Sequence, residues 1–356
     1  MIDREETSDQ EVFVTRSALI VLVATAAGGL GACTSRPSSP PAAPPAAAAH
    51  QAPPAQAPAN VSHGEAPVGT PATPAPVSPE APPRSRATVH HIRLEMRHVT
   101  VTLVEGTKYD AWTFGGAIPG PVLRVTEGDT VDFTLINRAP IPHSMDFHAA
   151  ELSPSRYYTN ILPGDSLHYR FVPRVPGAFM YHCGTAPVAA HIANGMYGAL
   201  IVDPRTPRPP AREFVLVQSE FYFSPTVSAA GAHSLDWDKL LGQAPDHVVF
   251  NGRAAQYATA PIAVRAGELL RLYLVNAGPN RVSAFHVVGA IFERVFEDAT
   301  SRPALEGVQT VGVPVGGGAI FEVRLKEPGN YPFVSHAFAD ATKGAVGVFA
   351  AQETGR

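Results

Sequence analysis

Pro121-Val-Leu-Arg-Val-Thr-Glu-Gly-Asp-Thr-Val-Asp-Phe-Thr-Leu-Ile-Asn137 sets the reading of this chain, because its pattern returns far downstream as Pro261-Ile-Ala-Val-Arg-Ala-Gly-Glu-Leu-Leu-Arg-Leu-Tyr-Leu-Val-Asn276. Val122–Val125 and Val131–Ile136 read as short strands, as does Leu167–Val172. A second rhyme, Tyr197-Gly-Ala-Leu-Ile-Val202 against Lys343-Gly-Ala-Val-Gly-Val348, ends each copy. The period is too long for a solenoid, so a whole domain is duplicated. The join falls near Asp203 to Arg212, where Pro-Arg-Thr-Pro-Arg-Pro-Pro marks a linker. Short strands punctuated by Gly and Pro predict an all-β chain of tandem β-sandwiches. Helical periodicity is confined to a short stretch near Ser234 to Leu241.

Upstream of the repeats the texture differs. Ala18 to Ala32 is an apolar run too short to span a bilayer comfortably, and it ends in Leu30-Gly31-Ala32-Cys33-Thr34. That ending resembles a bacterial lipobox, in which Cys33 is lipidated. Residues 1–33 are therefore expected to be a lipoprotein signal peptide, and the product an exported cell-envelope lipoprotein of the outer membrane or periplasm. Residues 34–87 are rich in Pro and Ala and poor in aromatics and charge, which predicts a disordered tether. The first sandwich is expected over 88–205 and the second over 206–356. A net charge of −4 gives no reason to expect a nucleic-acid partner. With only two cysteines, each given a separate task, there is no disulfide framework.

The chemistry gathers in the first repeat. Cys183 is followed by His191 and Met196, and Pro142-His143 offers a second imidazole. One thiolate, two imidazoles and a thioether make a donor set suited to copper that cycles between two oxidation states, a type 1 (blue) site. Neighbouring side chains on a strand point to opposite faces. His182 and Cys183 should therefore diverge and serve different metals, and His143 and His148, an odd number apart, should diverge likewise. The grouping that satisfies both is His143, Cys183, His191 and Met196 for one copper, with His148 and His182 for another. Asp146 falls on the second metal's side. His286 and His336 of the second repeat are the candidates for a third imidazole; His336 follows a Pro-Gly turn much as His182 does. The second copy has no Cys, so it is read as having lost the type 1 site while keeping one imidazole. His90, His91, His98, His168, His233 and His247 are read as surface or satisfied core residues.

Pro142-His-Ser-Met-Asp-Phe-His-Ala-Ala150, Tyr181-His-Cys-Gly-Thr-Ala-Pro-Val-Ala-Ala-His-Ile-Ala-Asn-Gly-Met-Tyr-Gly198, Ser283-Ala-Phe-His-Val-Val-Gly289 and Val334-Ser-His336 together resemble the copper-containing nitrite reductases, in particular their lipid-anchored outer-membrane branch. The resemblance covers roughly Thr88 to Ala351 and implies two tandem cupredoxin-like Greek-key β-sandwiches. It implies that His143, Cys183, His191 and Met196 hold the type 1 copper. It also implies that His148 and His182, with His336 from a neighbouring subunit of a homotrimer, hold a type 2 copper. Asp146 and His286 match the family's catalytic pair, and Val288 matches an aliphatic residue capping the substrate pocket. The implied activity is one-electron reduction of nitrite to nitric oxide, with electrons from a small redox protein, a cupredoxin or c-type cytochrome. Glu151–Asn160 departs from the Gly-rich run usual in the family. Alternative readings are a non-catalytic type 1 copper electron-transfer lipoprotein and a two-domain multicopper oxidase. The latter needs His-X-His and His-Cys-His motifs, which the chain lacks.

Overall fold

A computed structural model describes residues 76–104 and 106–353. Cys33, the apolar run before it and most of the expected tether lie outside the described residues. Thr130–Asn137 shows how the sequence builds the first sandwich. Val131, Phe133 and Leu135 face inward, while Thr130, Asp132 and Thr134 alternate with them on the other face. This strand lies in a six-stranded sheet, between Val89–Val104 on one side and Ser166–Phe171 on the other. The facing sheet has four strands in the order Leu123–Thr126, Tyr197–Asp203, Gly177–His182 and Asp146–Phe147. Phe133, Phe147, Phe171, Phe179, Tyr181 and Leu200, drawn from both sheets, share one core.

The second half repeats the design. Its six-stranded sheet centres on Arg212–Phe221, Leu269–Gly278 and Gly318–Arg324, and its five-stranded sheet on Gly329–Ser335. Leu272, Leu274, Phe285, Phe321 and Phe333 fill the space between them. The expected repeat is visible in detail at Asn137 and Asn276. Asn137 Nδ2 donates to the carbonyls of Ile141 and Ile161 (both 2.8 Å), while its Oδ1 accepts from Ala139 N–H. Asn276 does the same with Arg281, Val313 and Gly278. Each buried amide clamps the loop that leads into the strand carrying the repeat's Phe-His pair.

Strand parity also joins the halves. Phe179 and Tyr181 face the first core, so Ala178 and Met180 face the other way. They pack with Ala199 and Ile201 against Val215, Val217, Tyr273, Val275 and Ile320 of the second half. Gly177–His182 is thus apolar on both faces, as a strand covered on both sides must be. Gly318 allows the approach, since a Cβ there would collide with the Ala178 carbonyl. Arg124 ties the joint electrostatically, reaching Asp203 (2.8 Å) and Glu213 (2.8 Å).

Two features differ from the sequence reading. Within the expected tether, residues 76–87 are docked rather than free. Glu80 bridges Phe214, Val77 N–H donates to Gln256 Oε1 (2.8 Å), and Arg84 reaches the Pro204 carbonyl (2.9 Å). Backbone pairing and the guanidinium groups of Arg84, Arg124 and Arg212 anchor a segment whose composition gives no apolar signal. Second, Phe223–Val227 and Ala232–Leu235 extend the first half's sheet through pairing with Thr107–Phe114, although they lie beyond residue 206. The helix expected near Ser234 to Leu241 spans Trp237–Leu241, capped by Asp236, whose side chain accepts from Lys239 N–H.

Candidate metal centre

The first half ends its strand Gly177–His182 at the point where chemistry begins. His182 continues the outward parity of Ala178 and Met180, and Cys183 turns inward, fully buried. The chain then loops through the short helix Val188–Ala193, which returns His191 to the same place. Backbone bonds close this loop: Cys183 N–H donates to the Met196 carbonyl (3.1 Å) and Met196 N–H to the His191 carbonyl (3.1 Å). His143 arrives from the Asn137-clamped loop, locked to Ile161 by a two-way backbone bridge.

Three donor atoms converge there. Cys183 Sγ lies 3.2 Å from His191 Nδ1 and 3.8 Å from His143 Nδ1, and the two Nδ1 atoms are 3.0 Å apart. Ser144 N–H donates to the sulfur (3.3 Å). Met196 is wholly buried in the same core. Burial, with the neighbouring imidazoles adding to it, pushes His143 down to about 3; burial likewise takes His191 down to about 4. Both rings are therefore neutral near pH 7 and present bare lone pairs, the state a metal ligand needs. A buried sulfur and two imidazole nitrogens aimed at one point fit copper.

A second group lies on the other side of the same strand end. His182 Nε2 and His148 Nε2 are 3.0 Å apart, and Asp146 Oδ2 is 3.8 Å from His182 Nε2. His148 is exposed and Asp146 and His182 are half-buried, so this group opens outward. His148 Nδ1 is held by the Gly316 carbonyl (3.0 Å), which leaves Nε2 free to face the group. Desolvation lowers His182.

His336 is not part of that group within the chain. It pairs with His286, ring centroids 5.3 Å apart at 80°, against 5.0 Å and 82° for His148 and His182. The registers match as well: Phe147 pairs with Tyr181, and Phe285 with Ser335, so the imidazoles occupy equivalent places. The second half has therefore kept two imidazoles in this arrangement, where the sequence reading allowed one. Its counterpart to Cys183 is Ala337, and Asp146 corresponds to Ala284. His286 Nδ1 donates to the Gln309 carbonyl (2.8 Å), and Val288 beside it is exposed. His98, read from the sequence as an ordinary histidine, instead lies 3.0 Å from His143 through paired Nε2 atoms. The sequence carries no signal of this contact, which depends on the strand register that sets His98 opposite Trp112.

A family model described as "Multicopper oxidase" matches residues 95–207. The copper-containing nitrite reductase of Neisseria meningitidis serogroup B is 40% identical over 281 residues, 77% of this chain and 72% of that protein. That of Alcaligenes xylosoxydans is 31% identical, covering 67% and 78%. The solved copper nitrite reductase of Nitrosomonas europaea superposes with a TM-score of 0.69 at 36% identity, covering 74% of this chain and 94% of that one. The fold and its inward-turned cysteine define a tandem cupredoxin protein of the copper oxidoreductase class. Within that class, the chain belongs to the copper-containing nitrite reductases.

Proposed function

We propose that this protein reduces nitrite to nitric oxide, using one electron and two protons and releasing water. The observation that carries the reading is the divergence of His182 and Cys183 into two separate donor groups. In this reading His143, Cys183, His191 and Met196 hold a type 1 copper, and His148 and His182, with His336 of a neighbouring subunit in a homotrimer, hold a type 2 copper. With copper bound, the buried group relays single electrons from a small redox protein and the open group offers a position where nitrite binds and is reduced. The peptide joining Cys183 to His182 is the short covalent link between the groups. Asp146, at the rim of the open group, can hold a proton on its carboxyl and pass it to a nitrite oxygen. His286 has its Nδ1 proton committed to the Gln309 carbonyl, so Nε2 is the end that takes up and releases a proton. Val288 contributes an apolar wall beside that nitrogen. The matching pairs His148/His182 and His286/His336, each with one exposed and one half-buried ring, support assembly between copies of the chain, since each pair alone is an incomplete site. The lipobox-like ending at Cys33 supports a lipid anchor that would hold the folded head outside the cytoplasm.

Anaerobic incubation with a reduced donor and nitrite tests the reading: stoichiometric nitric oxide supports it, and none with copper fully loaded refutes it. Multicopper oxidase activity is the second reading, favoured by the family-model match and by a multicopper oxidase structure at 27% identity and TM-score 0.66. Oxygen consumption with a phenolic donor would support it; the missing His-X-His and His-Cys-His motifs weigh against it.

A further inference from the structure

His98 lies on the long strand Val89–Val104, in the row that includes Leu94 and Met96 and faces the first core. Its register partner across the antiparallel pair is Trp112. Directly opposed side chains on one sheet face are in contact distance, and here the rings stack, with centroids 5.0 Å apart and only 4° between planes. Trp112 in turn presents an edge-to-face contact to His191 (4.9 Å) and to His143 (5.7 Å). The stack is half-buried, whereas the two imidazoles beneath it are buried. It forms a roof over the nitrogen side of the Cys183 group.

The hydrogen-bond geometry gives this roof a task. His143 Nδ1 faces Cys183 Sγ and His191, so a metal there requires Nδ1 to be free of a proton. The proton of neutral His143 then sits on Nε2. The partner 3.0 Å from that atom is His98 Nε2, which accepts it only if His98 carries its own proton on Nδ1. Metal-bound imidazoles characteristically donate their second N–H to an acceptor that fixes the tautomer and ring angle and raises ligand basicity. We infer that His98, braced by Trp112, is the positioning residue that holds His143 in its metal-binding tautomer and tunes the Cys183 site. The inference rests on the copper reading of that site.

The test uses the full copper-loaded protein and three readouts: retention of copper against a competing chelator, the reduction potential of the thiolate-bound copper, and its visible and paramagnetic-resonance spectra. His98→Ala removes the acceptor and is expected to weaken copper retention at the Cys183 site by about 10–100-fold, the usual range for such partners. It should also displace the potential and alter the spectrum, while copper bound by His148 and His182 is retained. His98→Gln keeps an acceptor oxygen and is expected to recover most of the retention and potential. A role in packing alone would let Gln and Ala fail alike in thermal melting while leaving potential and spectrum unmoved. If His98→Ala matches the parent protein in all three readouts, or His98→Gln is no better than Ala, the inference is wrong. If the parent shows no thiolate–copper band, the copper reading fails and this inference falls with it. A parent band together with an unaltered His98→Ala variant removes the role of His98 alone.

Discussion

The two halves end their central strands on the same imidazole pair and diverge one residue later. In the first, His148 and His182 sit 5.0 Å apart, and the chain turns Cys183 into the core beside His143 and His191. In the second, His286 and His336 sit 5.3 Å apart, and Ala337 follows. Arg281 stands near the position His143 would take, and it is bound to Asp340 (3.1 Å). The duplicated scaffold therefore supplies a histidine pair at the same place in both halves. What distinguishes the first half is a buried soft donor placed one step further along the strand. Open and buried donor groups can share a strand end because strand parity sends adjacent side chains to opposite sides.

Making the first half resemble the second should have the largest effect. Cys183→Ala is expected to abolish the intense visible band and reduce nitrite turnover by more than the ~10–100-fold typical of residues that merely support a ligand. Retained turnover would break the comparison, since the buried donor would then be dispensable. Asp146→Ala, the residue found at the equivalent position in the second half, should slow nitric oxide formation by about a hundredfold or more. Copper content should stay unchanged in this variant, which metal analysis checks. His286→Ala should behave similarly.

The halves should also respond differently to acid when metal-free, since burial lowers four imidazoles in the first half and His247 in the second. Burial holds His143 and His191 far below the ordinary imidazole value and lowers His98 and His182 as well. The unfolded chain, whose imidazoles titrate near 6.5, takes up these protons first. Stability from the neutral rings is thus fully present above about pH 6.5 and is lost as pH falls toward the folded values. Melting temperature should drop across pH 7 to 5, and His143→Gln should flatten the slope; an unchanged slope would show that burial of these rings contributes little. The smallest effect is expected at the joint. Gly318→Ala places a methyl group against the Ala178 carbonyl and should cost about 1–3 kcal/mol by overpacking, read as a lower melting temperature.

Most of this arrangement was legible because it depends on local rules. Alternation in Thr130–Asn137 and the Asn137/Asn276 repeat need only local pattern, whereas His143 separates from His148 because it sits in the loop before the two-residue strand Asp146–Phe147. The docking of residues 76–87 was not legible, because it rests on backbone pairing with Glu213–Val215 rather than on a side-chain pattern. The capture of Phe223–Val227 by the first sheet was hidden for the same reason. His98 was missed because a single histidine on a strand gives no sign of what its partner strand carries. The equivalence of His148 and His286 is not legible in the sequence, because only the strand register reveals it.

In the proposed function, the neighbouring residues His182 and Cys183 serve two different coppers. Copper content and visible spectrum of the purified His148→Ala protein test it most directly. About one copper per chain should be lost relative to the parent while the thiolate–copper band persists at full intensity. Loss of the band together with that copper, or no loss of copper at all, would contradict it.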